Sequence, residues 1–122
     1  AVLVGLGEAA THEVAALRRA ADDAAAAGVS VAAYGAASRA VALFALAGVD
    51  ASTIRATVDA SPAKWGRRMP GTTVPIVGPD WLATARPDRV VVTVPDLLAE
   101  VSAAHPDVAF VDLALLTEGL RR

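Results

Sequence analysis

Apolar residues fall in short, mostly unbroken blocks separated by Gly, Pro and polar punctuation. Residues 1–7, AVLVGLG, form the first block and predict a buried strand running into a Gly-rich turn. Thr11 then reads as an N-cap, with Val14 and Leu17 opening a stripe at helical spacing and Gly28 stopping the helix. Residues 30–34, SVAAY, predict a strand. The small residues Gly35, Ala36, Ala37 and Ser38 turn it into a second helix ending near Gly48. Residues 53–59 predict the next strand, and an irregular stretch follows from Ala60 to Pro79, with Thr73–Val77 as a short strand inside it. Pro79 stands where it starts a helix through Trp81 and Leu82. The clearest buried strand is 89–94, RVVVTV, bounded by Pro87 and Pro95. A helix over 96–104, a strand over 108–112 and a partly helical tail complete the chain.

Strands alternate with helices, and several strands are continuously apolar. A strand that alternates apolar and polar residues has one wet face, whereas these predict strands buried on both faces. The fold expected is therefore α/β: a Rossmann-like three-layer sandwich with a mostly parallel sheet. At 122 residues the chain fits one such domain. Residues 1–10 read as a leader or as the trailing strand of a preceding domain, and 11–122 as the Rossmann-like unit.

Composition narrows the function. Hydrophobic residues make up 55% and charged residues 20%, which excludes a disordered chain. Cysteine is absent, so disulfides, thiolate metal sites and a cysteine nucleophile are excluded. The chain does not depend on an oxidising compartment, which points to the cytoplasm. A net charge of −2 argues against nucleic acid, whose phosphates select a basic face. Mean hydropathy is high, at +0.49, yet no apolar run reaches the ~18 residues that a membrane helix needs.

In open α/β sheets ligands bind beyond the carboxyl ends of the strands. Four such ends carry candidate chemistry. At the first, Tyr34-Gly35-Ala36-Ala37-Ser38-Arg39, small residues let a ligand approach the backbone. The following helix offers free N–H groups to phosphate, although the same residues also suit tight helix–strand packing. At the second, Asp59 stands where dinucleotide folds grip ribose hydroxyls, or else caps a turn. Ser61 follows it. The third holds Lys64, Trp65, Arg67 and Arg68: guanidinium pairs suit a diphosphate and an indole can stack on a base, and a solvated loop with Trp65 covering the core edge is the plainer alternative. At the fourth, Asp96 reads as a helix cap. His12 and His105 both read as helix-end residues. No metal-ligand spacing and no partners for a Ser38 nucleophile are visible.

Three of these segments, in order and spacing, resemble the C-terminal domain of S-adenosylmethionine-dependent sugar C-methyltransferases. That family's signature runs Y-G-A-x-A-K-G, V-D-x-N-P-x-K-x-G and P-G-T-x-I-P-I, then a hydrophobic strand ending in W-N. Here stand Tyr34-Gly35-Ala36-Ala37-Ser38-Arg39-Ala40, then Val58-Asp59-Ala60-Ser61-Pro62-Ala63-Lys64-Trp65-Gly66, then Pro70-Gly71-Thr72-Thr73-Val74-Pro75-Ile76, with Pro95-Asp96 in place of W-N. The resemblance implies a nucleotide-sugar-binding platform for methyl transfer to a thymidine diphosphate deoxy-keto-sugar. S-adenosylmethionine is expected in a separate methyltransferase domain, of the same or a partner chain, and no cofactor here; this chain alone is not expected to methylate. The substrate contacts it implies are Tyr34, Gly35, Ala36, Ser38, Arg39, Asp59, Ser61, Lys64 and Arg67. Two other readings are carried: the Rossmann-like nucleotide-sugar module of a sugar acyltransferase, which shares the pattern from Asp59 to Gly78, and a non-catalytic assembly domain.

Overall fold

The computed structural model describes residues 7–113, and for residues 7–10 and 95 the backbone only. Helix α1 spans Gly7–Ala27. Strand β1 (Val31–Tyr34) leads to helix α2 (Ser38–Ala47), strand β2 (Thr57–Val58), a 3₁₀ turn (Pro62–Lys64) and strand β3 (Ile76–Val77). Helix α3 (Asp80–Ala85), strand β4 (Arg89–Val92), a second 3₁₀ turn (Pro95–Leu97), helix α4 (Leu98–Ala104) and strand β5 (Phe110–Asp112) follow. The five strands form one all-parallel sheet in the order β3-β2-β1-β4-β5. This is the doubly wound α/β sandwich that the apolar strands predict.

Side chains on successive strand residues point to opposite faces, and the two halves of the core follow that rule. Val31, Ala33, Ile76 and Val91 pack with Leu17, Leu43 and Phe44 of α1 and α2. Ala32, Tyr34, Val58, Val90 and Val92 pack with Leu82 of α3 and Val101 of α4. Central strand β1 is buried at every position, and its one polar side-chain atom is the Tyr34 hydroxyl at its carboxyl end. Of the expected core stripe, Leu43, Phe44 and Val49 are buried and Leu46 is half-buried. Among the described residues no helix is long and apolar enough to cross a membrane.

Several boundaries differ from the sequence reading. The first helix begins at Gly7, so Thr11 and His12 lie inside it rather than at its cap. Glu8, Ala9 and Ala10 favour helix, an acid suits a first turn, and nothing before Thr11 stops them. Residues 1–6 and the tail at 114–122 lie outside the described residues, as does most of the strand expected there. The second strand is shorter than 53–59 because Asp50 accepts the amides of Thr53 and Ile54 through its carbonyl, and that of Ser52 through its carboxylate, folding a turn. The chain nonetheless bonds to β1 from Arg55 onward, whose amide donates to Val31 O at 2.9 Å. Asp96 is exposed in a 3₁₀ turn and does not cap α4, whose cap residue is Leu97.

The stretch between β2 and β3 is ordered. Met69 and Val74 face each other in a tight hairpin, Met69 N donating to Val74 O at 2.8 Å, and both are fully buried. Thr72 closes the tip, its hydroxyl donating to Met69 O. The Pro70-Gly71-Thr72 segment thus plugs two apolar side chains into the α1/α2 side of the core. It lies against α2 near Ala45.

Candidate functional site

Strand order reverses between β1 and β4, which send their connections to opposite faces. Crevices form at such switch points, beyond the carboxyl ends. The chain leaves β1 through Gly35 with φ of +105°. Its neighbour across the crevice is Thr93, directly after β4. The Thr93 hydroxyl is buried and lies 3.1 Å from both Tyr34 O and Gly35 O, donating to this pair of carbonyls. Replacing that hydroxyl with a methyl leaves the shape and removes the donor. Thr93→Val is therefore expected to lower stability by about 1–2 kcal/mol, readable as a lower midpoint in urea with an unchanged slope.

The turn's other wall comes from the end of β2. Asp59 accepts the Ala36 amide at 2.9 Å and the Ser61 amide at 2.8 Å, one on each carboxylate oxygen. Lys64 closes the arrangement, donating to Ala36 O at 3.2 Å and standing 3.6 Å from the Asp59 carboxylate. Trp65 donates its indole N–H to Asp59 O at 2.7 Å. A carboxylate holding two amides ties the β1–α2 and β2–β3 loops into one body. Burial, the largest influence, pushes the Asp59 pKa up, but the amides of Ser61 and Ala36 and the charge of Lys64 together hold it below the ordinary value. The group is a structural anion, not a base.

Beside it a cavity of about 200 Å³ opens between the sheet and α4, lined among others by Tyr34, Gly35, Asp59, Leu97, Glu100 and His105. Burial first, then the charges of Asp59 and Glu100, raise the Tyr34 pKa, so its phenol stays protonated at neutral pH. A larger hollow, about 530 Å³, lies at the other end of the sheet, against Pro87 and Pro106 before β4 and β5. It shares Ala104 and His105 with the smaller cavity, but only the smaller one reaches Tyr34, Gly35 and Asp59 at the carboxyl ends, so that one is the better placed for a ligand. Among the described residues no three potential ligands gather to hold a metal. The arrangement can bind and orient a ligand.

The family model for the C-methyltransferase C-terminal domain matches residues 4–113. The chain belongs to this family. No curated protein is similar enough to count as a match.

In this C-methyltransferase domain the first two signature segments meet, through Ala36, Asp59 and Lys64, whereas the third is the core-plugging hairpin. Tyr34, Gly35, Ala36, Asp59, Ser61 and Lys64 are brought together at one crevice. Ser38 opens α2 and is exposed at its rim, with no side-chain cap made there. Arg39 turns towards α1 and pairs with the buried Glu13 carboxylate. Arg67 is exposed, and its amide and carbonyl bond to Lys64 and Ile76. Trp65 remains 43% exposed, with its ring laid over Gly78, where a Cβ would meet it at 2.9 Å. Sequence reasoning missed Thr93 and Glu100 and gave His105 only a helix-end role. It does close α4 as its C-cap, and it also lines the cavity. Thr93 had a signal, being a polar residue inside the apolar run that follows Arg89; Glu100 had none.

Proposed function

We propose that this domain is the substrate platform of an S-adenosylmethionine-dependent C-methyltransferase and binds a thymidine diphosphate deoxy-keto-sugar. The observation that carries the reading is the convergence at the switch point. The turn through Gly35 and Ala36, the start of α2 and the Lys64 amine all border one crevice, and the 200 Å³ cavity opens beside them. Amides at a helix start and a lysine suit a diphosphate. Family membership supports the methyltransferase context. The diphosphate would sit at the start of α2 by Ser38, with Lys64 nearby and Arg39 recruited from Glu13; Ala36 borders it, its own amide being held by Asp59. The methyl donor belongs to a separate domain facing this crevice. Asp59 argues for that division, because both its oxygens are already taken by amides and so are poorly placed to grip the donor's ribose. No residue here is asked to move a proton.

A thermal-shift titration with thymidine diphosphate, uridine diphosphate and S-adenosylmethionine tests this. A ligand at 100 times its Kd adds about 2.7 kcal/mol, a rise of several degrees for a domain of this size. A response to the nucleoside diphosphates alone is expected. A response to S-adenosylmethionine alone would overturn the division of labour, and silence from all three would favour an assembly role.

A further inference from the structure

Trp65 is the one large apolar residue left exposed among the described residues. It belongs to neither half of the core, whereas Trp81 packs against the half under α3 and α4. Covering the core edge, the plainer reading of its sequence, is therefore not its role. Its ring lies instead on Gly78, a residue with no side chain of its own. The indole is also held still, because its N–H donates to Asp59 O at 2.7 Å. A bulky ring anchored at its edge, backed on one face and bare elsewhere is a surface prepared for stacking. Little freedom is left for it to lose when a ligand covers it.

Its surroundings select the ligand. The segment from Ala60 to Pro79 carries Lys64, Arg67 and Arg68 and no acid, in a chain whose net charge is −2. Arg67 and Arg68 are exposed and have no ion-pair partner among the described residues. An aromatic face among free cations suits a ligand that joins a π-system to negative charge. The platform is also continuous with the crevice. The carbonyl that holds the indole belongs to Asp59, which lines the 200 Å³ cavity and stands 3.6 Å from the Lys64 amine. Asp59 directly follows β2 and Gly78 directly follows β3, so the ring stands over that side of the sheet. The cavity, with Tyr34 and Gly35, lies on the side of β1.

We infer that Trp65 is the platform on which the nucleobase stacks. A nucleoside diphosphate sugar then crosses the carboxyl ends in one direction: base over β2 and β3, diphosphate by Lys64, sugar in the cavity beside β1. This rests on the nucleotide-sugar reading above and adds to it a residue and an orientation.

The test compares thymidine diphosphate with methyl diphosphate, which has the same diphosphate ester and no base. Both are titrated into the intact chain and into Trp65→Ala and Trp65→Phe, by calorimetry and by quenching of indole fluorescence. The unaltered chain is expected to bind thymidine diphosphate at least about five-fold tighter, the low end of base–aromatic stacking, with quenching. Trp65→Ala should remove that preference and the quenching while leaving methyl diphosphate where it was. Trp65→Phe keeps a ring face and loses the N–H, and should retain part of the preference. The platform alone is overturned if both diphosphates bind the unaltered chain equally, or if the preference survives Trp65→Ala. It is overturned as well if Trp65→Ala weakens both ligands alike, or if Trp65→Phe loses as much as Trp65→Ala, since the ring then serves only the loop. Failure of both diphosphates to bind the unaltered chain overturns the nucleotide-sugar reading, and the platform with it.

Discussion

Gly35→Ala is expected to lower stability by about 2–4 kcal/mol. Two effects add. The backbone there has φ of +105°, far from the wells open to a residue with a Cβ, and such strain costs of order 1–3 kcal/mol. The new methyl would also stand 3.0 Å from the Thr93 hydroxyl and 3.3 Å from Val94 Cγ2. Neither neighbour can retreat cheaply: Thr93 is buried and committed to two carbonyls, and overpacking of this kind adds about 1–3 kcal/mol. A domain with roughly 5–15 kcal/mol in hand loses a large share of it. Thermal unfolding should show a midpoint lower by about 10 °C. Gly28→Ala is the control, because its φ is also positive but its methyl meets nothing within 4 Å. It should cost only about 1 kcal/mol. Equal losses from the two substitutions would show that the contact with Thr93 has no weight and that the crevice wall yields to the added methyl.

Asp59→Asn is the second large effect, expected at about 2–3 kcal/mol. The carboxylate accepts one amide on each oxygen. An asparagine keeps a single acceptor and turns an NH₂ towards the other amide, so one of Ala36 and Ser61 is left facing a donor. Hydrogen bonds to a charged group contribute about 1.5–3 kcal/mol each. Lys64 also loses its partner at 3.6 Å, a smaller term because its side chain is 41% exposed. The pH dependence gives an independent check. The Asp59 pKa is depressed in the folded state. Its contribution is therefore complete above the unfolded value, about 3.9, and is lost as pH falls through the folded value. Urea unfolding of both proteins between pH 7 and pH 3 should show their gap constant near neutrality and closing below about pH 4. A gap that widens on acidification would refute the assignment of Asp59 as the loop-tying anion. In either variant the crevice loosens at Ala36, so any ligand held there should bind more weakly.

Much of the crevice was legible before the structure. Tyr34, Gly35, Asp59 and Lys64 lie in segments whose residue types are unusual for their places: a small-residue turn after an apolar strand, then an acid and a lysine flanking a proline. The structure changes what those residues do. Asp59, read either as an acid that grips a ribose or as a turn cap, caps the turn at Ser61 and also accepts the Ala36 amide. Arg39, expected at a phosphate, pairs with Glu13 across twenty-six residues of chain. The Pro70-Gly71-Thr72 segment, equally prominent in the sequence, serves the core. Glu13 itself, buried on a helix face among alanines, gave no sign that it would be paired.

By itself the sequence determined the class of fold and its family. Continuous apolar strands need cover on both faces, and short helices between them supply it, so burial alone dictates a parallel sheet in a three-layer sandwich. Local chemistry also determined most turns, since Gly and Pro act on their own backbone. Only the tertiary structure decided the site. Strand order sets which loops share a crevice, and no local pattern records that β4 would lie beside β1 and bring Thr93 to Gly35. Partner choice for a charge is likewise a matter of distance: an acid bonds to whatever donor the fold places within 3 Å, and spacing along the chain does not reveal it.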